Sequence, residues 1–272
     1  MTEHLFNRIT FRLRYPAVMG ILNVTPDSFS DGGLHLEVGE AVDRVGQMLE
    51  EGAQFIDVGG ESTRPGSDPV SVDEELGRIL PVIDALPKDE CVISLDTTKP
   101  EVARAALEAG VHVINDVSGG ADSTLFDLAE HYHAGYVLMH TMGSPKTMQE
   151  APSYDDVVSE VLAFFEERIT DLANRNLPKV WMDPGIGFGK TLEHNLALMQ
   201  HLSAFRDDRW GLLLGASRKS WIDKLCGAPN HEHRLGGSLA AAMEAARQGA
   251  EIIRAHDVRE TVQALEVMES LR

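Results

Sequence analysis

The stretch CVISLDTTKPEVARAALEAGVHVINDV, residues 91–117, reads as strand, loop, helix and strand in succession. Residues 91–96 are a short apolar run that ends on Asp96. Pro100 stands where a first helical residue belongs, since its fixed φ suits the helix and its missing N–H is not needed there. Gly110 follows the helix that Pro100 opens, and residues 111–117 repeat the apolar run, carrying Asn115 and Asp116 near its end. Runs that are continuous rather than alternating suit strands covered on both faces, as in a parallel sheet flanked by helices.

Working outward, the same pattern recurs along the chain. Apolar runs lie at 18–24, 55–59, 91–96, 111–117, 135–140, 180–183, 211–215 and 251–254. Ser71-Val-Asp-Glu74 has the form of a capping box ahead of a helical run to Leu86. Residues 154–174 place Val157, Val161, Phe164, Phe165, Ile169 and Leu172 near a helical period. Segments 236–248 and 259–271 complete the set. Eight βα units without a linker or low-complexity tract predict one (β/α)8 TIM barrel spanning 1–272 as a single domain. An open doubly wound sheet is the structural alternative.

Polar residues stand at the ends of these runs: Asn23, Asp57 with Glu61, Asp96, Asn115 with Asp116, His140, Asp183, Lys219, and Arg254 with His256. In a barrel they converge on the face where the βα loops build active sites. Some of them are expected to cap helices or tie loops instead. Asp96 and Asp183 suit a ligand rich in N–H donors, because an ionised carboxylate only accepts. Asn115 adds a group that donates and accepts, so the trio fits a heterocycle with alternating donors and acceptors; structural bonding to backbone N–H groups is the other reading. Arg64, Arg254, His256 and Lys219 bring positive charge to the same rim and point to an oxyanion, which a planar guanidinium matches well.

The whole chain carries 24 basic against 43 acidic residues, a net charge of −19. This argues against a nucleic-acid or anionic-membrane partner and requires any anion site to be a local basic cluster. No run of about 18 apolar residues occurs and the N-terminus lacks a signal-like stretch, so a soluble, cytoplasmic protein is expected. Cys91 and Cys226 read as reduced, unpaired residues.

Several motifs fail on inspection. GIGFGKT (185–191) resembles a phosphate-binding loop, but Pro184 stands where its first glycine belongs. His231-Glu-His233 lies in a polar connection with no partner for zinc. The first strand ends in Asn23-Val-Thr25, not in a metal-binding histidine pair; Asn23 offers one oxygen that suits Mg²⁺, an ion that keeps waters and shares phosphate ligands. The segments 25–33 and 61–68, rich in Gly, Ser and Pro, carry Phe29 and Arg64 and read as loops built to move or to close; packing of Phe29 under the barrel rim is the other reading.

The motifs VMGILNVTPDSFSDGG (18–33), IDVGGESTRPG (56–66), ISLDTTKPE (93–101), VINDVSGG (113–120), LMHTMGSPKTMQ (138–149), WMDPGIGFGK (181–190), GASRKS (215–220) and IIRAHDV (252–258) resemble the dihydropteroate synthase family over essentially the entire chain. The resemblance implies a transferase that condenses 6-hydroxymethyl-7,8-dihydropterin diphosphate with p-aminobenzoate. It implies that Asp96, Asn115, Asp183 and Lys219 hold the pterin. Asn23, Thr63, Arg64, Arg254 and His256 would bind diphosphate, with Mg²⁺ shared between Asn23 and the phosphates. Phe29, Thr63, Pro65, Phe188, Lys219 and Ser220 would form the p-aminobenzoate pocket, where sulfonamides compete. Arg64, Asp96, Asp183, Lys219 and Arg254 would carry the catalysis, and a homodimer would form through the last helices. Two alternatives are a non-catalytic pterin-binding paralogue, which should have lost Arg64, Lys219 or the loops, and a pterin-dependent methyltransferase barrel, which has no use for a diphosphate cluster.

Overall fold

A computed structural model describes residues 1–25, 34–62, 67–143, 148, 152–207 and 209–271. Its chain opens with an antiparallel hairpin, β1 (Thr2–Phe6) and β2 (Ile9–Leu13), turned at Asn7 and Arg8 with φ of 41° and 73°. Eight parallel strands follow: β3 (Ala17–Asn23), β4 (Phe55–Gly59), β5 (Val92–Asp96), β6 (Val113–Asp116), β7 (Gly135–Met139), β8 (Val180–Asp183), β9 (Gly211–Leu214) and β10 (Ile252–Ala255). They close in the order β10-β3-β4-β5-β6-β7-β8-β9, the expected barrel. Each of the eight apolar runs contains or closely overlaps one strand. The hairpin was not expected from the sequence, because its exposed positions break the apolar run.

Around the barrel lie α1 (Leu34–Glu50), α2 (Val72–Ala85), α3 (Pro100–Glu108), α4 (Thr124–His131), α5 (Val157–Leu172), α6 (Leu192–Gln200), α7 (Ser220–Cys226), α8 (Leu235–Arg247) and α9 (Val258–Ser270). Two helices, α7 and α8, follow β9, so the seventh unit is longer than a simple repeat. The local signals hold in part: Ser71 caps α2 by accepting from the Glu74 N–H, but the Glu74 side chain turns to Arg78 instead of closing the capping box, and Pro100 opens α3. His231 and His233 sit exposed in a 3₁₀ turn.

Alternation along each strand sorts the side chains into two sets. Ile56, Val58, Ile93, Leu95, Ile114, Leu138, Met182 and Leu212 belong to the layer under the helices. Phe55, Val92, Val113, Val137, Trp181, Leu213 and Ile252 belong to a second cluster that includes Phe6, Phe11 and Leu13 of the hairpin. The hairpin thus plugs the N-terminal end of the barrel, and Asn7 fastens it by donating to the carbonyls of Leu107 and Val111 at 2.9 and 2.8 Å. Gly211 is required beside Trp181, for a Cβ there would stand 2.2 Å from the indole.

The same period of two carries the inward set upward. Two residues beyond Phe55 is Asp57; beyond Val92 come Ser94 and then Asp96. Asn115 follows Val113, Asp183 follows Trp181, and Arg254 follows Ile252. Register then sets neighbours side by side, with Asn23 opposite Gly59, Gly59 opposite Asp96, and Asp96 opposite Asn115. An apolar plug at one end and a charged layer at the other follow from one alternation.

Candidate active site

Asp96, Asn115 and Asp183 are 6%, 4% and 4% exposed, so the floor of the site is almost withdrawn from water. Arg254 reaches across it, its Nε donating to Asp57 Oδ2 at 2.6 Å and its Nη2 to Asp96 Oδ2 at 3.2 Å. Asn115 Nδ2 donates to the same Asp57 oxygen at 3.0 Å. That bond sets the amide: with its NH₂ turned to Asp57, its oxygen is left to accept from elsewhere. The remaining oxygens Asp57 Oδ1 and Asp96 Oδ1 are buried and make no hydrogen bond among the described residues. Buried acceptors without donors are costly, so a floor of this kind is completed by a ligand that donates.

Asp183 is held from behind, where Gly185 N donates to its Oδ1 at 2.7 Å. Gly185 has φ of +68°, and a Cβ would stand 1.9 Å from the His140 carbonyl oxygen, so this turn admits only glycine. Lys219 donates to the Ile186 carbonyl at 2.5 Å and its Nζ lies 4.5 Å from the centroid of the Phe188 ring, a cation–π contact. Lys219 precedes α7, and Ser220 begins that helix exposed. His256 is held by Ser217, whose hydroxyl accepts from its backbone N–H at 3.2 Å and lies 3.0 Å from its Nδ1. Arg218 binds Asp257 through two bonds, tying the Lys219 loop to the His256 loop.

Burial pushes the Asp96 carboxyl up to about 7, against the pull of Arg254 and with the help of Asp57. Burial likewise raises Asp183, opposed first by Lys219. Burial lowers Lys219 to about 8, opposed by Asp183. A ring that donates to Asp96 and accepts from Lys219 would need the first ionised and the second charged. Below about 7 the first is lost by protonation, and above about 8 the second is lost by deprotonation. Affinity for a pterin, measured by calorimetry across pH 5.5–9.5 (about that range, to cover both limbs), is therefore expected to pass through a maximum between these values. Lys219→Arg should carry the alkaline limb upward; a flat profile would contradict the assignment.

The rim residues divide on inspection. Asp116 does not face the site: it accepts from Tyr136 Oη at 2.7 Å and from the Ser118 and Gly120 N–H groups, fixing the loop after β6. Glu61 pairs with Lys99, which also binds buried Glu75 at 2.6 Å. His140 turns to Lys190. Arg254, read from the sequence as part of an oxyanion wall, is joined to the carboxylate floor. Asp57 was noticed in the sequence without a role, yet it orients both Asn115 and Arg254; the signal was an aspartate inside an otherwise apolar strand. Phe29, Thr63, Arg64 and Pro65 lie outside the described residues.

The loop 185–191 explains why its glycines make no phosphate cradle. In a phosphate loop the backbone N–H groups face the anion. Here the Gly185 and Phe188 carbonyls face inward and accept from Lys190 at 3.0 and 2.9 Å, so the loop's cation is already engaged.

A donor-seeking carboxylate floor at the C-terminal end of a parallel barrel suits a ring rich in N–H groups, and the family model described as "Pterin binding enzyme" matches residues 19–256. The dihydropteroate synthase of Escherichia coli is 50% identical over 261 residues, 95% of this chain and 92% of that protein. The Yersinia pestis dihydropteroate synthase, solved as a sulfonamide drug complex, superposes with a TM-score of 0.91 at 43% identity, covering 100% of this chain and 99% of that one. The Xanthomonas albilineans enzyme, solved with 4-aminobenzoic acid, gives 0.91 at 43% identity, covering 99% and 97%; it has also been solved with 7,8-dihydropteroate. The chain belongs to the dihydropteroate synthase family, transferases of folate biosynthesis.

Proposed function

We propose that this rim joins 6-hydroxymethyl-7,8-dihydropterin diphosphate to p-aminobenzoate by dividing the work between a pterin floor and a cationic edge. The observation that carries this is the pair of buried, unbonded oxygens on Asp57 and Asp96 beside an Asn115 amide fixed as an acceptor. Asp96, Asn115 and Asp183 take the N–H-rich edge of the pterin, and Lys219 completes the ring contacts. The exocyclic methylene then points outward toward Arg254 and His256; Thr63 and Arg64, outside the described residues, are assigned to the same diphosphate edge by the family resemblance alone. The amine nitrogen of p-aminobenzoate attacks that methylene, the C–O bond to diphosphate breaks, and the amine proton leaves to solvent. Positive charge gathering on the pterin is stabilised by the Asp96 and Asp183 carboxylates, and the departing oxygens by the arginines. No protein nucleophile is needed. The family resemblance assigns the arylamine pocket to Phe29, Thr63, Pro65, Phe188, Lys219 and Ser220, of which Phe188, Lys219 and Ser220 are among the described residues.

Within the same proposal Mg²⁺ is assigned to Asn23. The Asn23 side chain, half-buried at the end of β3, makes no hydrogen bond among the described residues, and no cluster of three His, Cys, Asp or Glu suited to a metal occurs among them. A lone neutral oxygen suits an ion that takes its other ligands from waters and phosphates. Bound there, Mg²⁺ would neutralise the developing charge of the leaving diphosphate. The same proposal includes a homodimer through the last helices, where the apolar residues Val267 of α9 and Leu271 just beyond it are exposed. Among the described residues no helix is long and apolar enough to cross a membrane; a cytoplasmic location is part of the same proposal.

Mixing both substrates and Mg²⁺ with the protein and following diphosphate release tests the reading, and no release above background would sink it. Arg64→Ala separates the two halves of the site. Its turnover is expected to fall about 100-fold or more, the usual effect of removing one group that stabilises transition-state charge. Pterin affinity should change by no more than about threefold, because the contact matters most as charge develops. Equal losses in both would contradict the division.

A further inference from the structure

Lys190 is 1% exposed, a lysine turned wholly inward. Its Nζ lies 2.9 Å from His140 Nδ1, 3.0 Å from the Gly185 carbonyl oxygen and 2.9 Å from the Phe188 carbonyl oxygen. An ammonium has three N–H donors and no acceptor, and these three acceptors match it. His140 then offers Nδ1 as an acceptor and keeps its proton on Nε2. Burial, followed by the charge of Lys190, lowers His140 to about 3, so the ring stays a neutral acceptor. Burial also holds Lys190 below the usual lysine range, with Asp183 acting in the opposite sense.

The backbone gripped in this way carries three groups of the site. Gly185 N bonds Asp183, the Ile186 carbonyl receives Lys219, and the Phe188 ring lies against the Lys219 ammonium. Two further bonds steady the same loop from outside. Asn195 Oδ1 accepts from Gly187 N at 2.7 Å, and Tyr154 Oη donates to the Gly189 carbonyl at 3.0 Å. Asp183 and its Gly185 contact lie at the rigid end of β8. Phe188 lies further along the loop, where its carbonyl is fixed by Lys190.

We propose that Lys190 is a positioning residue for the arylamine side of the site: by binding His140 and the Gly185 and Phe188 carbonyls, it holds the Phe188 ring and the Ile186 carbonyl against Lys219. This rests on the reading above that Phe188 and Lys219 line the p-aminobenzoate pocket. Lys190 acts through the loop and touches no reacting atom. Freeing the loop lets Phe188 move, while Asp96, Asn115 and Asp183 keep their strand positions and Lys219, set at the start of α7 and drawn to the Asp183 charge, stays with the pterin floor.

Steady-state diphosphate release by Lys190→Met, with each substrate varied in turn, reads this directly. The KM for p-aminobenzoate is expected to rise about tenfold or more, while the KM for the pterin diphosphate changes by less than about threefold. His140→Phe removes the acceptor and should repeat that split. His140→Asn returns an oxygen near the Nδ1 position and should bring the p-aminobenzoate KM back to within about threefold of the wild type. This His140 pair decides the matter if Lys190→Met does not fold. A p-aminobenzoate KM unchanged in folded Lys190→Met, equal losses for both substrates, or His140→Asn behaving like His140→Phe overturns the proposal. Wild-type protein run alongside separates the two failures: if it releases no diphosphate, the functional reading has failed, whereas normal wild-type release with no split in the variants defeats the role of Lys190 alone.

Discussion

Asp183→Ala is expected to bring pterin binding below calorimetric detection. One oxygen of Asp183 is committed to Gly185 N, which leaves the other free for the ligand and sets its direction. Hydrogen bonds to a charged group contribute about 1.5–3 kcal/mol each, so the loss of two ring N–H contacts costs about 3–6 kcal/mol. That corresponds to a Kd weaker by about 10²–10⁴. The truncation also strips Lys219 of the opposite charge that keeps it protonated in a buried site. Asp183→Asn should fall between, since an amide keeps the shape but replaces an acceptor by a donor. A Kd within about tenfold of wild type for the alanine variant would mean that the pterin does not use this carboxylate.

Arg254→Met is expected to damage both halves of the site and the fold. The side chain fills a similar volume but leaves Asp57 and Asp96 facing each other without a cation between them. Removing one partner of a buried ion pair costs about 3–5 kcal/mol; Arg254 retains 19% of its side-chain exposure, so about 2 kcal/mol is the better expectation here. kcat/KM should fall by about 10³, since the floor and the leaving-group edge are lost together. The pH dependence has a defined sign. Without Arg254 the Asp96 carboxyl rises further above its unfolded value. An acid raised in the folded state binds more protons there than when unfolded, so stability falls as pH increases. Urea denaturation should therefore show the deficit growing between pH 6 and 8 (about the span that brackets the value for Asp96). A deficit that is constant across that span would contradict the carboxylate repulsion.

The barrel was legible because its strands are buried on both faces and end abruptly on charged or amide residues. Continuous apolar runs give the strand positions, and the helical signals at Ser71 and Pro100 give the segments between. The hairpin at Thr2–Phe6 and Ile9–Leu13 was not legible. Only one face of it plugs the barrel, and its role depends on Trp181 and Phe55, which are remote in sequence. Asp96, Asn115 and Asp183 emerged as a floor because each ends a strand. Asp57 lies mid-strand, and what makes it important is the position of Arg254, at the other end of the chain. The sequence around Lys190 departs from a phosphate loop at Pro184, but its inward turn could not be read there, because it needs the positive φ of Gly185 and the nearness of His140. Asp116 and Glu61 had the same signature as the floor residues and serve loops instead. A strand-end carboxylate shows its purpose only when its partners are known.

Whether the rim divides into a pterin floor and a cationic edge would be seen in a crystal structure with an unreactive pterin diphosphate analogue. The N–H edge of the ring is expected within about 3 Å of the Asp96 and Asp183 carboxylates, with the Asn115 amide oxygen accepting. The methylene and diphosphate should point toward Asn23, Arg254 and His256. A ring bound with its methylene directed down toward Ser94 and the hairpin plug, or seated outside the barrel mouth, would contradict it.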